Sequence, residues 1–192
     1  MNGNLKFFRF FSIVIIISSS HSNNLKNFYE LLEQTSVIKL NISITHDQLG
    51  KKYKSFGDFF ILGLNKYFYD SSDLKISVNN DDIVTKNYFS RQIVFNDLDK
   101  EQLNLFDIIS GNKNYIEFLE YKGDKNRYDF HISSIGFKGY FLFEPTSGDL
   151  RLISFDNDFN QSISININKI ELLDVYNPKI EKEDFEVIDL RG

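Results

Sequence analysis

The sequence predicts an α+β domain dominated by antiparallel strands. Ile38, Leu40, Ile42 and Ile44 alternate strictly with Lys39, Asn41, Ser43 and Thr45, the period of a strand with one dry and one wet face. Just before them, Leu25, Phe28, Leu31 and Leu32 recur at helical spacing. Turn signals such as Asn79-Asn80-Asp81-Asp82 and Pro145-Thr146-Ser147-Gly148 punctuate the rest. With 192 residues, one domain and one core are expected.

The first helix takes its cap from Asn23 or Asn24, shows Lys26, Asn27, Glu30 and Glu33 on its outer side, and ends near Thr35. After the strand through Ile44, the break His46-Asp47-Gln48-Leu49-Gly50 turns the chain into a second strand starting at Lys51. Leu74, Ile76 and Val78 mark another, and Ile83 to Phe89 and Arg91 to Phe95 two more. Asp97 is read as the cap of a second helical segment. Asp99 and Glu101 suit its positive first turn, Leu98, Leu105, Phe106, Ile108 and Ile109 supply apolar surface, and Gly111 stops it. Strands resume over Tyr115 to Tyr121, Tyr128 to Ser133, Tyr140 to Phe143, Leu150 to Phe155 and Ser162 to Leu172, and Phe185, Val187 and Leu190 mark the last. Short sequential pieces joined by short turns make an antiparallel meander the economical topology.

One stretch stands apart. Gly57 to Asp70, GDFFILGLNKYFYD, crowds Phe59, Phe60, Tyr67, Phe68 and Tyr69 into a single strand pair. So much aromatic surface must face a core, a cavity or a membrane.

The composition excludes more than it assigns. There are 20 Phe and 10 Tyr but no Trp and no Cys, and Ala is also missing, which lowers helix propensity. A codon-level bias toward Asn, Ile and Lys accounts for this pattern. Without Cys there are no disulfides, thiol catalysis, thiolate metal sites or lipidated N-terminal cysteine. A net charge of −5 with no basic face argues against nucleic acid as a partner. Lys6, Arg9, the apolar run Phe10 to Ile17 and the small residues Ser18, Ser19, Ser20 and Ser22 read as a secretory signal peptide over residues 1–22. Counted from Phe7 the apolar run is about 11 residues, short of the roughly 20 a spanning helix needs. Cleavage before His21 or Asn23 would remove Lys6 and Arg9 and take the charge from −5 to −7, leaving a soluble acidic domain over residues 23–192.

Catalytic signatures are missing as well. No HExxH, GxSxG, GxGxxG or P-loop spacing occurs. His21 lies at the cleavage site, His46 at a turn and His131 alone on an expected strand. Asp81-Asp82 and Asp156 with Asp158 suit Asn/Asp-rich hairpin turns better than a calcium site. Neither enzyme activity, a metal nor a cofactor is expected.

The order of elements resembles the periplasmic lipoprotein carriers of the LolA type. GDFFILGLNKYFY stands where that family has a Gly-Asp start, an apolar strand, an Arg-Pro turn and an aromatic strand. ISVNNDDIVTKNYFSRQ, LNLFDIISGN, EPTSGDLRLISFDNDFNQSISIN and the terminal DFEVIDL stand for the later hairpins, a short internal helix and the closing strand. The resemblance covers the whole mature chain. It implies a strongly curved antiparallel sheet forming an incomplete β-barrel with an α-helical lid over an apolar cavity. Its inner wall would include Leu40, Ile42, Phe59, Ile61, Tyr67, Tyr69, Ile76 and Val78, with Leu31 and Leu105 from the helices. Gly63-Leu64 replaces the family's Arg-Pro, so the basic residue thought to hold the lid has no counterpart; Lys66 falls on a different strand phase.

The function so implied is a monomeric periplasmic chaperone. It would bind lipoprotein acyl chains, receive them from an inner-membrane lipoprotein-releasing complex and pass them to an outer-membrane acceptor. Two other readings use the same features. A periplasmic lipid- or lipoprotein-sensing regulatory domain could share the half-barrel. An outer-membrane barrel would need regular strands of about 9 to 11 residues, which the two helical segments and the Leu190-Arg191-Gly192 end argue against.

Overall fold

A computed structural model describes residues 23–33, 36–63, 65–98, 105–111, 116–119, 126–133, 136–157 and 161–192. The signal-peptide segment 1–22, Thr35, Leu64, Asp99, Glu101 and Asp158 lie outside them, as do the expected ends of the strand around Glu117. The chain runs α1 (Asn24–Leu32), β1 (Val37–Gln48), β2 (Lys51–Gly63), β3 (Lys66–Ser71), β4 (Leu74–Asn79), β5 (Asp82–Asn87), β6 (Gln92–Asp97), α2 (Leu105–Ile109), β7 (Glu117–Phe118), β8 (Arg127–Ile132), β9 (Phe137–Phe143), β10 (Leu150–Asn157), β11 (Gln161–Leu173) and β12 (Glu186–Asp189).

All strands join one 12-stranded sheet in the order β12-β6-β5-β4-β3-β2-β1-β11-β10-β9-β8-β7. The expected meander is present twice, as β1 to β6 and as β7 to β11. The two are stitched by β1, which pairs antiparallel with β11 from Val37 opposite Leu173 to Gln48 opposite Gln161. A register shift between Asn41 and Ile42 leaves Asn168 as the extra residue of β11, a bulge that sharpens local twist. The sheet curves without closing, and β12 and β7 remain its edges.

Close backbone approach helps that curvature in each half. A Cβ at Gly57 would stand 2.5 Å from the Asp70 carbonyl oxygen and 2.7 Å from the Tyr69 ring. One at Gly139 would collide with the Ser154 carbonyl oxygen and stand 2.7 Å from the Phe130 ring. Only glycine lets an aromatic ring lie against the strand at these points.

Two expectations need correction. Asp97 does not cap a helix: it ends β6 opposite Asp82, and its Oδ2 accepts from the Gly192 amide at 3.2 Å. A residue already held in a strand ladder cannot serve as a helix cap. Among the described residues the helix is α2, 5 residues long. The last strand is also not antiparallel, because β12 pairs β6 in parallel, Glu186 opposite Gln92 to Asp189 opposite Phe95. Parallel pairing needs a crossover, and residues 174–185 supply it over the convex face. Tyr176 stacks on Phe60 at 3.9 Å. The Glu181 carbonyl accepts from Lys86 Nζ at 2.7 Å, and that buried ammonium also sits 4.0 Å over the Phe185 ring.

The convex side of the β2–β1–β11 seam carries a polar chain. Asn168 donates to Asn41 (3.1 Å), Asn41 to Asp58 (3.0 Å), and Lys39 Nζ lies 2.9 Å from Asp58 Oδ2 and 3.9 Å from Glu171. Burial alone would push the Asp58 carboxyl up, but hydrogen bonds from Asn41 and Lys39, with the lysine charge, outweigh it and hold the carboxyl below the ordinary range. Donating that hydrogen bond to Asp58 holds the Lys39 ammonium above its ordinary value. The Asp58 contribution to stability is therefore present above the unfolded value of about 3.9 and is lost as pH falls through the lower folded one. That of Lys39 is lost only as pH rises through its raised value.

Asp58→Asn is expected to cost about 1 kcal/mol at neutral pH, the pair being partly exposed and screened. Urea unfolding across pH checks it: the gap to wild type should close in acid, and a pH-independent gap would mean that charge is not the cause.

Candidate functional site: the concave aromatic wall

The residues expected on the inner wall come together. Leu40, Ile42, Phe59, Ile61, Tyr67, Tyr69 and Val78 belong to one buried cluster, with Ile76 and Leu31 packed against it. Strand register explains the grouping. Leu40 faces Phe59, Phe59 faces Tyr69 and Tyr69 faces Ile76; the next row runs Ile38, Ile61, Tyr67, Val78. Each row crosses β1 to β4 on one face, so a single alternation in the sequence becomes a continuous wall. Leu105 opens α2, and its side chain lies outside the described residues.

Side chains from both helices lie against this wall. Phe106 of α2 stacks on Phe59 at 5.2 Å and 11° and reaches Tyr69 at 4.8 Å and Tyr67 at 6.0 Å. Beside it the Tyr67 hydroxyl donates to Asp107 Oδ1 at 3.4 Å. In the other half, Phe28 of α1 contacts Phe141 and Phe143 at 6.4 and 6.3 Å, and Phe130 lies 5.2 Å from Phe141. Asn23 caps α1, as expected, by accepting from the Lys26 amide at 3.1 Å. Asn24 ties the helix to the sheet through Asn126 at 3.3 Å.

Sequence reasoning named Phe28 and Phe106 as apolar helix faces and assigned neither to the wall; it also overlooked Phe130, Phe141 and Phe143. The alternation in RYDFHI and FKGYFLF was the available signal.

The wall is apolar throughout. Among the described residues the buried charged side chain is Lys86, which lies on the opposite face. Burial pushes the Tyr29 hydroxyl well above the usual phenol range, so that it stays neutral. Described residues include no cluster of three or more side chains suited to a metal. Lys66 pairs with Asn79 on the row of Phe68, facing away from the wall. In place of an Arg-Pro latch, α2 is held by the Phe106 stack and the contact between Tyr67 and Asp107.

Open space lies to one side. β10 pairs β11 only from Leu152 opposite Asn166 onward, whereas β11 continues to Leu173. Where the two strands part, a groove of about 790 Å³ opens, lined by apolar residues that include Leu31, Leu150, Ile167 and Ile170 and otherwise by polar ones that include Glu144, Asp149, Arg151, Asn168 and Lys169. Leu150 and Ile167 belong also to the buried cluster and Leu31 packs on it, so groove and core share a wall. Its volume lies within the range of roughly 300 to 1,000 Å³ common for small-molecule sites.

No family model matches the chain, and no curated protein does. Solved structures do. An uncharacterized conserved protein from Thermus thermophilus superposes with a TM-score of 0.50 at 7% identity, covering 86% of this chain and 98% of that one. A LolA superfamily protein from Nitrosomonas europaea gives 0.46 at 7% identity over 79% and 94%, and a DUF1329 family protein from Desulfovibrio piger 0.45 at 7% over 79% and 91%. The likeness is one of fold. Among the described residues no helix is long and apolar enough to cross a membrane.

Phe106→Ala is expected to cost about 3 kcal/mol or more of folding stability, and Tyr67→Phe about 1 kcal/mol. Denaturant unfolding tests both. A cost below about 1 kcal/mol for Phe106→Ala would mean that the ring is not packed on the wall.

Proposed function

We propose that this protein carries the acyl chains of lipoproteins across the periplasm on the concave wall, with α1 and α2 as its lid. The observation that carries the reading is how little, among the described residues, covers so large an apolar face: helices of 9 and 5 residues, beside a groove that shares Leu31, Leu150 and Ile167 with the core or its packing shell. Helices this short have no stability of their own. They stay in place through the few side chains they bury.

The magnitudes favour exchange. Lifting Phe106, Ile108 and Ile109 off the wall costs roughly 4 to 9 kcal/mol at about 1.5 to 3 for each side chain. An acyl chain of about 16 carbons gains about 12 kcal/mol on leaving water. A chain that displaces α2 from the wall would therefore still be held. Wall and bilayer are comparably apolar, so passage between them is close to neutral. Direction would come from partners, an inner-membrane releasing complex as donor and an outer-membrane acceptor. The chain acts as a monomer, delivered by a cleaved signal peptide over residues 1–22, and performs no chemistry on its cargo.

The protein purified from a cell envelope, examined by mass spectrometry, is expected to carry lipoprotein. In vitro it is expected to bind a fluorescent fatty acid, and Phe106→Ala is expected to bind it several-fold more tightly, since the plug is smaller. An empty protein that also ignores the probe would overturn the carrier reading.

A further inference from the structure

The β1–β2 hairpin extends past its neighbour on one side. Pairing of β1 with β2 continues to Gln48 opposite Lys51, but β3 joins β2 only from Gly57 opposite Ser71. Among the described residues Lys51 to Phe56 thus form an open edge beyond β3. At its tip Leu49 and Gly50 have φ of 53° and 79°, the signs of a type I′ turn, and Asp47 Oδ1 braces it by accepting from the Gly50 amide at 3.1 Å. Asn, Asp or Gly suits the first position of such a turn. A branched apolar residue there is strained, and this one is 76% exposed.

Two aromatic residues follow it. Tyr53 is 58% and Phe56 65% exposed. Register places Lys51 and Tyr53 on the concave side, opposite Gln48 and His46, and Lys52, Lys54 and Phe56 on the convex side. The hairpin tip therefore presents lysines and rings on both faces. Residues 46–56 hold three lysines against the one aspartate in a chain of net charge −5. Lys52 is 3.9 Å from Asp47; among the described residues neither Lys51 nor Lys54 forms an ion pair. Other exposed apolar side chains, such as Phe89, Leu119 and Val175, lie outside this lysine-bearing tip.

Lysines on an open strand edge also guard against unwanted strand pairing. That purpose accounts for Lys52 and Lys54. It does not account for a strained leucine and two rings, which add apolar surface to the very edge being protected. Cations interleaved with Tyr, Phe and Leu match the interface of an anionic bilayer, where rings and leucine enter the headgroup region and ammonium groups meet lipid phosphate.

We infer that the Leu49-Gly50 hairpin is a membrane-docking finger for anionic lipid surfaces, one that brings an otherwise acidic protein to a bilayer. The inference goes beyond acyl carriage and does not require it. Flotation of the chain from Asn23 onward, which carries the whole sheet, tests it with vesicles of phosphatidylcholine alone or mixed with phosphatidylglycerol. Binding is expected only to the mixed vesicles and is expected to fall with salt. Joint replacement Lys51→Gln, Lys52→Gln and Lys54→Gln is expected to weaken binding on the order of 100-fold. Leu49→Asn is expected to weaken it about tenfold while melting no lower than wild type, since Asn suits the turn. Both variants should keep fatty-acid binding, which separates failure here from failure of the carrier reading. Equal binding to both vesicle types, wild-type binding by both variants, or binding to polyglutamate with none to vesicles would overturn the finger.

Discussion

The pairing of β1 with β11 runs the full length of β1, from Val37 opposite Leu173 to Gln48 opposite Gln161, and joins two meanders that could otherwise fold as separate ribbons. Through it, rows that begin on β4 continue past β1 onto β11, where Leu40 meets Ile170 and Ile38 meets Leu172. The polar chain from Asn168 through Asn41 to Asp58 and Lys39 holds the outer side of this seam, and the bulge at Asn168 bends it. One apolar concave face results. Water cannot be left against a surface of that size without cost.

On the proposed carrier reading, what covers that face sets the function. A filled core of this area would ordinarily be sealed by long amphipathic helices, whose burial could not be undone cheaply. Among the described residues the cover includes Phe28 and its neighbours on α1 and Phe106, Ile108 and Ile109 on α2. A few side chains can be exchanged for a hydrocarbon chain of similar apolar content. The absent Arg-Pro latch fits this view. A stack of Phe106 on Phe59 yields to another apolar occupant more readily than an ion pair would, because hydrocarbon replaces hydrocarbon.

Much of this was legible beforehand, for a simple reason. Strands with one dry face write a period of 2 into the sequence, which groups Leu40 with Ile42 and Ile76 with Val78; the register implied by the family resemblance joined Phe59, Ile61, Tyr67 and Tyr69 to them. The signals that failed were those whose meaning depends on partners far along the chain. Asp97 looks like a helix cap until Asp82 pairs with it. DFEVIDL looks like one more antiparallel strand until the crossover held by Tyr176 and Glu181 brings it to β6 in parallel. The wall's second half was overlooked because Phe130, Phe141 and Phe143 are spread over two modest strands, without the density of Gly57 to Asp70.

The central claim is that α2 is a displaceable plug. Hydrogen exchange at the amides of residues 105–111, followed with and without a bound long-chain fatty acid, tests it most directly. The account predicts faster exchange in α2 on binding while β2 and β3 become slower. Uniform slowing, with α2 protected as much as the wall beneath it, would contradict it.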